Sequence, residues 1–558
     1  MASPAMHPER AAIAWECFAC GLSGGGSDGG RGGCSGGGRG GDRGGGRGHS
    51  RKGGWKCKHG AFASYGRDAR EQQQQQQQQQ RQQKQQQPCE HALLALQAAA
   101  GGTAPGVVRI DGSAGEGGGQ VLRVSAALAA ITRTPLVVTG VRAKRSRPGL
   151  RPQHLEVRAA PRRATMRACA RTKKPSLPLA YTSHEPPPDR HSSALARRAA
   201  PKGLRLIARA CGAALAGGEV GSTALALLPG DAQAAVDRRR ELVADTGTAG
   251  SVTMLAQAVL PVLLYADAPA REGESEGEGI ELRARLVGGT DAAMAPPVDY
   301  MRRVLLPTLQ DRFGVRARAE LRRRGFYPRG GGTLVLHVAP LARGAAMPPL
   351  RTRGAGAPPA PVGFEVFAFD AGAASGKGFA DTAHAAATTE LKKLVGEDYC
   401  VDGHVDAADA ASDGVLGGGG GVSVVMRIAG AGHESFGAAG AAEVIDLKSG
   451  DPKAAGEQAA RRAAAVVRSL GGKGAFADAD EHLQDQLVIF MALAEGKSEL
   501  LCVGEGADGD ERGGQLTLHT RTAMDVCKQM LPTCSFEVEA LDGGGWKVVC
   551  TGAGVRKA

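Results

Sequence analysis

Short apolar runs alternate with longer apolar stretches along residues 107–344. The runs VVRI (107–110) and LVVTGVRA (136–143) have the length of strands, and the stretch 121–131 between them has the length of a helix. The same pattern predicts strands at 222–228, 281–287 and 333–338, and helices at 204–215, 250–265 and 298–313. Strands separated by helices in this way are typical of an α/β protein with repeated units.

The section from about 350 to 428 has its own order of strand, helix and strand. Its predicted elements are strand 362–370, helix 380–394 and strand 422–428. Because Pro- and Gly-rich segments flank it, we expect residues 345–430 to form a smaller domain inserted into a large domain of residues 104–344 and 431–558. Later in the chain the pattern predicts helices at 456–470, 481–494 and 522–530, and strands at QLTLHT (515–520), FEVEAL (536–541) and WKVVC (546–550).

Two segments lack this periodicity. Residues 1–103 contain a Gly/Arg tract and a glutamine run, and residues 156–203 are rich in Arg, Pro and Ser. Such compositions bury too little apolar surface to offset chain entropy. We therefore expect a disordered tail at 1–103 and, at 156–203, an unstructured insertion or a wrongly retained exon boundary.

The formal net charge of +13 is concentrated in those two segments. Residues 1–103 carry 13 Lys/Arg against 7 Asp/Glu, and residues 156–203 carry 11 against 3, so the rest of the chain is nearly neutral. A nucleic-acid site in the folded body must therefore be a local basic cluster. No apolar stretch is long enough to span a membrane, and the N-terminus has no apolar signal core, so neither a membrane protein nor a secreted one is expected.

Four glycines, at 115 and 117–119, lie between the first predicted strand and the first predicted helix. They do not match the dinucleotide-binding pattern, because Gln120 stands where its third glycine should be. The segment GAASGKG (372–378) also departs from a phosphate-binding loop, since it has one residue too few and Gly378 in place of Ser or Thr. A glycine loop before a helix can still bind phosphate, although a purely structural turn fits the spacing as well.

Two polar clusters follow the glycine loop. The first is cationic and contains Arg142, Lys144, Arg145, Arg147, Arg151 and His154. Such a run suits phosphate oxygens but is also typical of a solvated face. In the last third, Glu481, His482, Asp485 and Gln486 fall on one predicted helix, and His519 lies on the polar face of the predicted strand QLTLHT. Taken alone, such a histidine is usually an ordinary surface residue.

As a set, these stretches resemble the RNA 3'-terminal phosphate cyclase family over residues 107–156 and 203–552. The matching stretches follow the family order: DGSAGEGGGQVLR, VRAKRSRPGLRPQHL, GGEVGSTALALLPG, DTGTAGSVTMLAQAVLP, GGTDAAMAPPVDY, RRRGFYPRGGGT, DEHLQDQLVIFMALAEG and LTLHTRTA. The resemblance implies a large domain of three βαβαββ units and a smaller thioredoxin-like α/β domain inserted before the third unit. It also implies RNA with a 3'-terminal phosphate as substrate, ATP and Mg²⁺ as cofactors, and a nuclear location, with the cytoplasm or an organelle left open.

The resemblance assigns roles to residues of this chain. The nucleophile of the family's H-x-x-T motif corresponds to His519, and Thr522 completes the motif. The family's nucleotide contacts correspond to Gln257, Pro296, His482, Asp485 and Gln486. At His482 many relatives carry Tyr. The residues important for end joining and RNA phosphate binding correspond to Glu116, Arg123, Arg142, Arg145 and His154. The metal ligands and the oligomeric state stay unassigned.

The implied chemistry has three steps. His519 attacks the α-phosphate of ATP, AMP passes to the RNA 3'-phosphate, and the neighbouring 2'-hydroxyl expels AMP to leave a 2',3'-cyclic phosphate. The alternative is a non-catalytic cyclase-like protein of ribosome biogenesis, a branch that has the fold and lacks the nucleophile. Since His519 stands in a complete H-x-x-T motif, the sequence favours the enzyme.

Overall fold

A computed structural model of the chain describes most of residues 106–558. The described ranges are 106–146, 148–150, 202–230, 241–267, 281–292, 295–351, 361–371, 378–396, 400–406, 419–429, 435–445, 450–468, 478–503, 515–541 and 545–558. The predicted tail, almost all of the predicted insertion, Arg147, Arg151 and His154 lie outside these ranges. Residues 104–558 form one compact unit.

The first sheet has four strands and two helices in its connections. In chain order its elements are β1 (Val108–Asp111), α1 (Gly119–Thr132), β2 (Leu136–Thr139), α2 (Lys202–Ala210), β3 (Ala214–Ala216) and β4 (Leu225–Leu228). The strand order is β1-β2-β4-β3, with β1 and β2 parallel and the other pairs antiparallel. Helix α1 is apolar around most of its circumference, which fits its burial beneath this sheet.

The second sheet repeats this arrangement. Its elements are β5 (Glu241–Asp245), α3 (Val252–Tyr265), β6 (Leu282–Gly288), α4 (Val298–Tyr300), a π-helical turn (Met301–Leu305), α5 (Leu306–Phe313), β7 (Ala317–Arg323) and β8 (Gly332–Val338). The order β5-β6-β8-β7 again has one parallel pair followed by two antiparallel pairs. Helix α3 begins at the N-cap Ser251, whose side chain accepts the N–H of Met254, and it packs against α1.

A third sheet forms around a separate apolar cluster. Its elements are β9 (Pro361–Ala371), α6 (Phe379–Val395), β10 (Cys400–Asp406), β11 (Gly419–Ala429), β12 (Ser435–Ile445) and α7 (Pro452–Arg468). The order is β10-β9-β11-β12. Phe364 and Val366 of β9 pack with the alanines of α6 and α7, whereas Phe367 lies in the core of the remaining protein. The alternation along β9 therefore gives the sheet one face for its own helices and one for the rest of the molecule.

The last elements form a three-stranded sheet and two helices. They are α8 (Gln484–Leu493), β13 (Glu495–Cys502), α9 (Leu518–Met530), β14 (Ser535–Ala540) and β15 (Trp546–Ala553), with strand order β13-β15-β14. A single parallel bridge joins Ala479 to Cys502 at the β13 edge. Helix α9 packs against both α1 and α8, so the glycine loop before α1 lies close to the last helix of the chain.

The predicted α/β class is confirmed, and most predicted elements agree with the structure within a few residues. The predicted strand QLTLHT is wrong. Thr517 is the N-cap of α9, which begins at Leu518, so His519 lies in the first turn of a helix. The alternation of Leu516 and Leu518 misled the prediction, because Leu516 is buried and Leu518 is 42% exposed. The predicted helix 204–215 ends early, at Ala210, and is followed by the short strand β3. Among the described residues, no helix is long and apolar enough to cross a membrane.

Candidate active site

The glycine loop between β1 and α1 is held by its own polar residues. The Asp111 carboxylate accepts the N–H of Ser113 at 2.8 Å and its hydroxyl at 3.0 Å. The N–H of Gly112 donates to the Thr139 carbonyl at the end of β2. Gly117 has φ of +60°, a conformation that a residue with a side chain adopts at a cost. The loop is therefore a defined turn, and it ends at the start of α1, whose N-cap Gly118 makes no side-chain hydrogen bond to the described first turn. Such a helix start is suited to an anion.

Thr522 joins this loop to helix α9. Its Oγ1 accepts the N–H of Glu116 at 3.0 Å and donates to the Leu518 carbonyl at 2.7 Å. The contact is close because Gly115 has no side chain. A Cβ at Gly115, which has φ of +56°, would lie 2.3 Å from Thr522 Oγ1. The threonine of the H-x-x-T motif thus holds the glycine loop in place, a role that could not be predicted from the sequence.

His519 lies at the second position of α9 and is exposed to solvent. The N-cap Thr517 accepts the N–H of Thr520 at 3.2 Å, which fixes the start of the helix. The positive end of the helix dipole favours a phosphate at this point. The histidine thus combines access from solvent with an environment that attracts phosphate.

Two predicted residues, Glu116 and Arg145, pair on the other side of the loop. Arg145 Nη2 donates to the Glu116 carbonyl at 3.0 Å and to its Oε1 at 3.2 Å. The second carboxylate oxygen, Oε2, is buried and has no hydrogen-bond partner among the described residues. Arg142 lies nearby in sequence with φ of +55°, a left-handed conformation rare for a residue with a side chain. The structure thus leaves one buried carboxylate oxygen at this loop available to a ligand.

Arg123 and Asp485 form the charged centre of the site. Arg123 Nη2 donates to Gln120 Oε1 at 2.6 Å, and both residues line a small cavity together with Asp485. Burial lowers the pKa of Arg123, an effect that the Asp485 and Glu116 carboxylates oppose. Burial raises the pKa of Asp485 to about 6, although the nearby charges of Arg123 and His519 lower it. Electrostatic interactions therefore link Glu116 to Arg123, Arg123 to Asp485, and Asp485 to His519.

Gln257 and Gln486 line the same cavity. Gln257 Nε2 donates to Gln486 Oε1 at 2.7 Å, which joins helix α3 to helix α8. One turn before Gln257, Thr253 Oγ1 donates to the Pro296 carbonyl at 2.8 Å. The predicted nucleotide residues Gln257, Pro296 and Gln486 are therefore linked through neighbouring positions of α3.

The helix predicted at 481–494 begins later, at Gln484, so His482 lies just before α8. Its Nε2 lies 2.9 Å from a guanidinium nitrogen of Arg462, and its ring meets the Tyr300 ring edge to face at 6.2 Å. The Tyr300 hydroxyl donates to the Asp480 carboxylate at 2.6 Å, and the same carboxylate accepts the N–H of His482. Sequence reasoning missed Tyr300, Asp480 and Arg462. Tyr300 and Asp480 stand in the stretches GGTDAAMAPPVDY and DEHLQDQL, which was their only signal, whereas Arg462 lies in none of the matching stretches.

The described residues contain no group of three or more His, Cys, Asp or Glu side chains able to hold a metal ion by themselves. Of the predicted site residues, His154 lies outside the described ranges. The rest belong to two linked groups, one around the glycine loop and His519 and one between α3 and α8.

Comparisons with known proteins identify the family of the chain. The family model described as RNA 3'-terminal phosphate cyclase matches residues 114–194 and 195–538. The chain is similar to the RNA 3'-terminal phosphate cyclase of Pyrobaculum aerophilum, at 30% identity over 424 residues, or 76% of this chain and 92% of that protein. The protein of that name from Pyrobaculum neutrophilum is 31% identical over 77% of this chain and 95% of its own length. The one from Korarchaeum cryptofilum is 37% identical over 42% of this chain and 49% of its own length. The chain belongs to the RNA 3'-terminal phosphate cyclase family.

Proposed function

We propose that this chain is an ATP-dependent enzyme that converts RNA 3'-phosphate ends to 2',3'-cyclic phosphates through a covalent histidine–AMP intermediate. The observation that carries the proposal is the position of His519. It is exposed in the first turn of α9, and Thr522, one turn further along the helix, holds the glycine loop. The part of α9 that carries the proposed nucleophile therefore contacts the glycine loop that leads into α1, and both helix N-termini are suited to phosphate.

In the first step, an imidazole nitrogen of His519 attacks the α-phosphorus of ATP. An N–P bond forms and the bond to pyrophosphate breaks. A neutral imidazole is nucleophilic without a separate base, and the phosphoramidate that results is labile enough to transfer AMP. Arg123 and the helix N-termini supply positive charge for the phosphate oxygens. We assign Gln257, Pro296, His482, Asp485 and Gln486 to the nucleotide.

In the second step, an oxygen of the RNA 3'-phosphate attacks the AMP phosphorus and His519 leaves. In the third step, the 2'-hydroxyl of the same ribose attacks the 3'-phosphorus and AMP departs with the bridging oxygen. Because this last step is intramolecular, positioning supplies much of its acceleration. We assign Arg142 and Arg145 to the terminal phosphate, and the contacts of Arg145 with Glu116 in the glycine loop support this assignment.

The carboxylate of Glu116 is suited to bind a Mg²⁺ ion. Its buried Oε2 has no partner among the described residues, and Mg²⁺ in nucleotide sites is commonly held by one or two carboxylates together with phosphate oxygens and water. When bound, such an ion would neutralise charge on the departing pyrophosphate.

We also propose that the first, second and last sheets are three copies of one βαβαββ unit. The first two have the same strand order and pairing directions. The last has the matching order of three strands, with the Ala479 bridge at the position of the missing first strand. The third sheet and its helices would then be the domain inserted before the last copy.

Covalent labelling with ATP carrying a labelled α-phosphate tests the proposed function. Wild-type protein should acquire an acid-labile label, as expected of a phosphoramidate, and RNA with a 3'-phosphate should discharge it while RNA with a 3'-hydroxyl should not. His519→Asn should abolish labelling, because an amide cannot attack phosphorus. His482→Tyr, which introduces the residue common in relatives, should retain labelling. A folded wild-type protein that never labels would instead support the non-catalytic alternative.

A further inference from the structure

A tight turn after β7 presents an aromatic and a basic side chain to solvent. The N–H of Gly330 donates to the Phe326 carbonyl at 2.7 Å and closes the turn. Tyr327, Pro328 and Arg329 form its apex and are exposed, and Tyr327 is 84% exposed. The turn belongs to the stretch RRRGFYPRGGGT, to which the proposed chemistry assigns no role.

The base of the turn is held from several directions. Gly330 lies so close to the loop before α3 that a Cβ on it would be 2.1 Å from the Thr248 carbonyl oxygen. Arg323 donates to the Gly331 carbonyl through Nε and Nη2, at 3.0 and 2.6 Å. The Phe326 ring stacks on the Phe369 ring of β9. The backbone of the turn is therefore fixed before any ligand binds, which lowers the entropy lost on binding.

The turn continues a surface lined with arginines along β7. Arg329 has neither a hydrogen bond nor an ion pair with any residue that the structure describes. Arg322 is exposed and paired with Glu320. At the start of β7 a groove is lined by four arginines and one carboxylate, which are Arg302, Arg303, Arg318, Arg427 and Asp311. Seven strand residues span roughly 20 Å, so groove, strand and turn form one extended arginine-lined track. The groove arginines pair with carboxylates, Arg302 and Arg303 with Asp299, Arg318 with Glu281 and Arg427 with Glu365. Arg329 at the turn therefore carries positive charge that no carboxylate of the described residues offsets.

This combination fits single-stranded nucleic acid. A single exposed tyrosine is ordinary in a folded protein. Proteins that bind single-stranded nucleic acid, however, combine aromatic rings that stack on bases with arginines that contact phosphates. The turn also packs against Thr248 and Ala249, three residues before α3, which carries Gln257. The track therefore ends close to the helix that reaches the candidate site.

We infer that β7 and the turn 326–330 bind the single-stranded RNA that precedes the 3'-phosphate end, with Tyr327 stacking on a base and Arg329 contacting the backbone. The inference rests on the proposed function, because it takes RNA with a 3'-phosphate as the substrate. It adds a substrate requirement, namely unpaired nucleotides upstream of the reacting end.

Cyclisation of two substrates tests the inference, one a 3'-phosphorylated dinucleotide and the other a single-stranded 3'-phosphorylated RNA of roughly 16 nucleotides. Tyr327→Ala should raise KM for the long RNA about fivefold or more, because stacking on one base is lost. Tyr327→Phe should keep the wild-type KM.

Arg329→Ala should lower the slope of log KM against log salt by about 0.7 if one phosphate contact is lost. Arg343→Ala, which removes an arginine with a 66% exposed side chain elsewhere, is the charge control.

The dinucleotide is too short to occupy the track, so its KM should not change in these variants. Equal effects on both substrates, or none on either, would overturn the inference, as would an equal effect on a duplex of the same length. If the wild type cyclises neither RNA, the proposed function fails by itself. Fluorescence anisotropy with the long RNA bearing a 3'-hydroxyl then decides the inference, which stands if Tyr327→Ala weakens binding about fivefold and falls if affinity is unchanged.

Discussion

At the scale of single residues, the site depends on groups that connect helices as much as on groups that face a substrate. Thr522 is the clearest case, because one hydroxyl serves both its own helix and the glycine loop. The H-x-x-T spacing places His519 and Thr522 on the same side of α9, one turn apart. Correct placement of the nucleophile and correct placement of the loop are therefore coupled through this helix turn.

We predict that Thr522→Val will reduce self-adenylylation by roughly ten- to a hundredfold, because the Glu116 N–H loses its acceptor and the loop shifts. Thr522→Ser keeps the hydroxyl and should stay near the wild-type rate. The matched control is Thr132→Val, which removes another hydroxyl bonded to the carbonyl four residues earlier. If both valine variants lose the same activity, the effect comes from helix stability and the proposed role of Thr522 is wrong.

Asp485 should make stability depend on pH. Its folded pKa of about 6 lies above the value of about 4 expected in the unfolded chain. The native state therefore binds the Asp485 proton more tightly than the unfolded state does, and this difference stabilises the fold. The stabilisation is complete below about pH 4 and is lost as pH rises to about 6. Asp485→Asn should flatten the fall in the free energy of unfolding over this window, measured by urea denaturation at several pH values. Asp525→Asn, which removes an exposed carboxylate of α9, serves as the comparison. If the free energy of unfolding of Asp485→Asn depended on pH as steeply as that of the wild type, the raised pKa would not belong to Asp485.

At the scale of elements, most helices and strands with a strong apolar periodicity could be predicted from the sequence, and strands without it were missed. Strand β7 (ARAELRR) is an edge strand with charged residues, and β12 (SFGAAGAAEVI) is rich in Gly and Ala, so neither has a clear apolar run. The site residues came from family motifs. Their contacts could not be predicted, because the Gln257–Gln486 and Glu116–Thr522 hydrogen bonds join segments far apart in the chain. Periodicity reports only the burial of nearby residues.

The glycine loop gives a prediction at this scale. Gly115→Ala should destabilise the protein by more than Gly314→Ala, although both glycines have positive φ. At Gly314 the added Cβ meets nothing within 4 Å, so only the conformational cost of about 1–2 kcal/mol applies. At Gly115 it also collides with Thr522. Thermal unfolding should show the larger loss of stability in Gly115→Ala. ATP labelling should show a loss of self-adenylylation in that variant alone. Equal behaviour of the two variants would mean that the loop does not need this close approach.

At the scale of the whole molecule, the family match begins at residue 114, and residues 104–558 form one compact unit. We predict that a protein of residues 104–558 will keep its thermal midpoint and will cyclise a short RNA within a few-fold of the full chain. The low apolar content of residues 1–103 is the physical reason. Loss of folding or of all activity in the shortened protein would show that the tail is part of the enzyme.

The hydrogen bond between Glu116 and Thr522 joins residues 406 positions apart. During synthesis at about 5–20 residues per second, the glycine loop emerges tens of seconds before the helix that holds it. Under the proposed function, a growing chain has the glycine loop but no nucleophile for most of its synthesis, and the adenylylation centre forms only when α9 folds. We therefore expect chains whose synthesis stops before α9 to be unable to consume ATP.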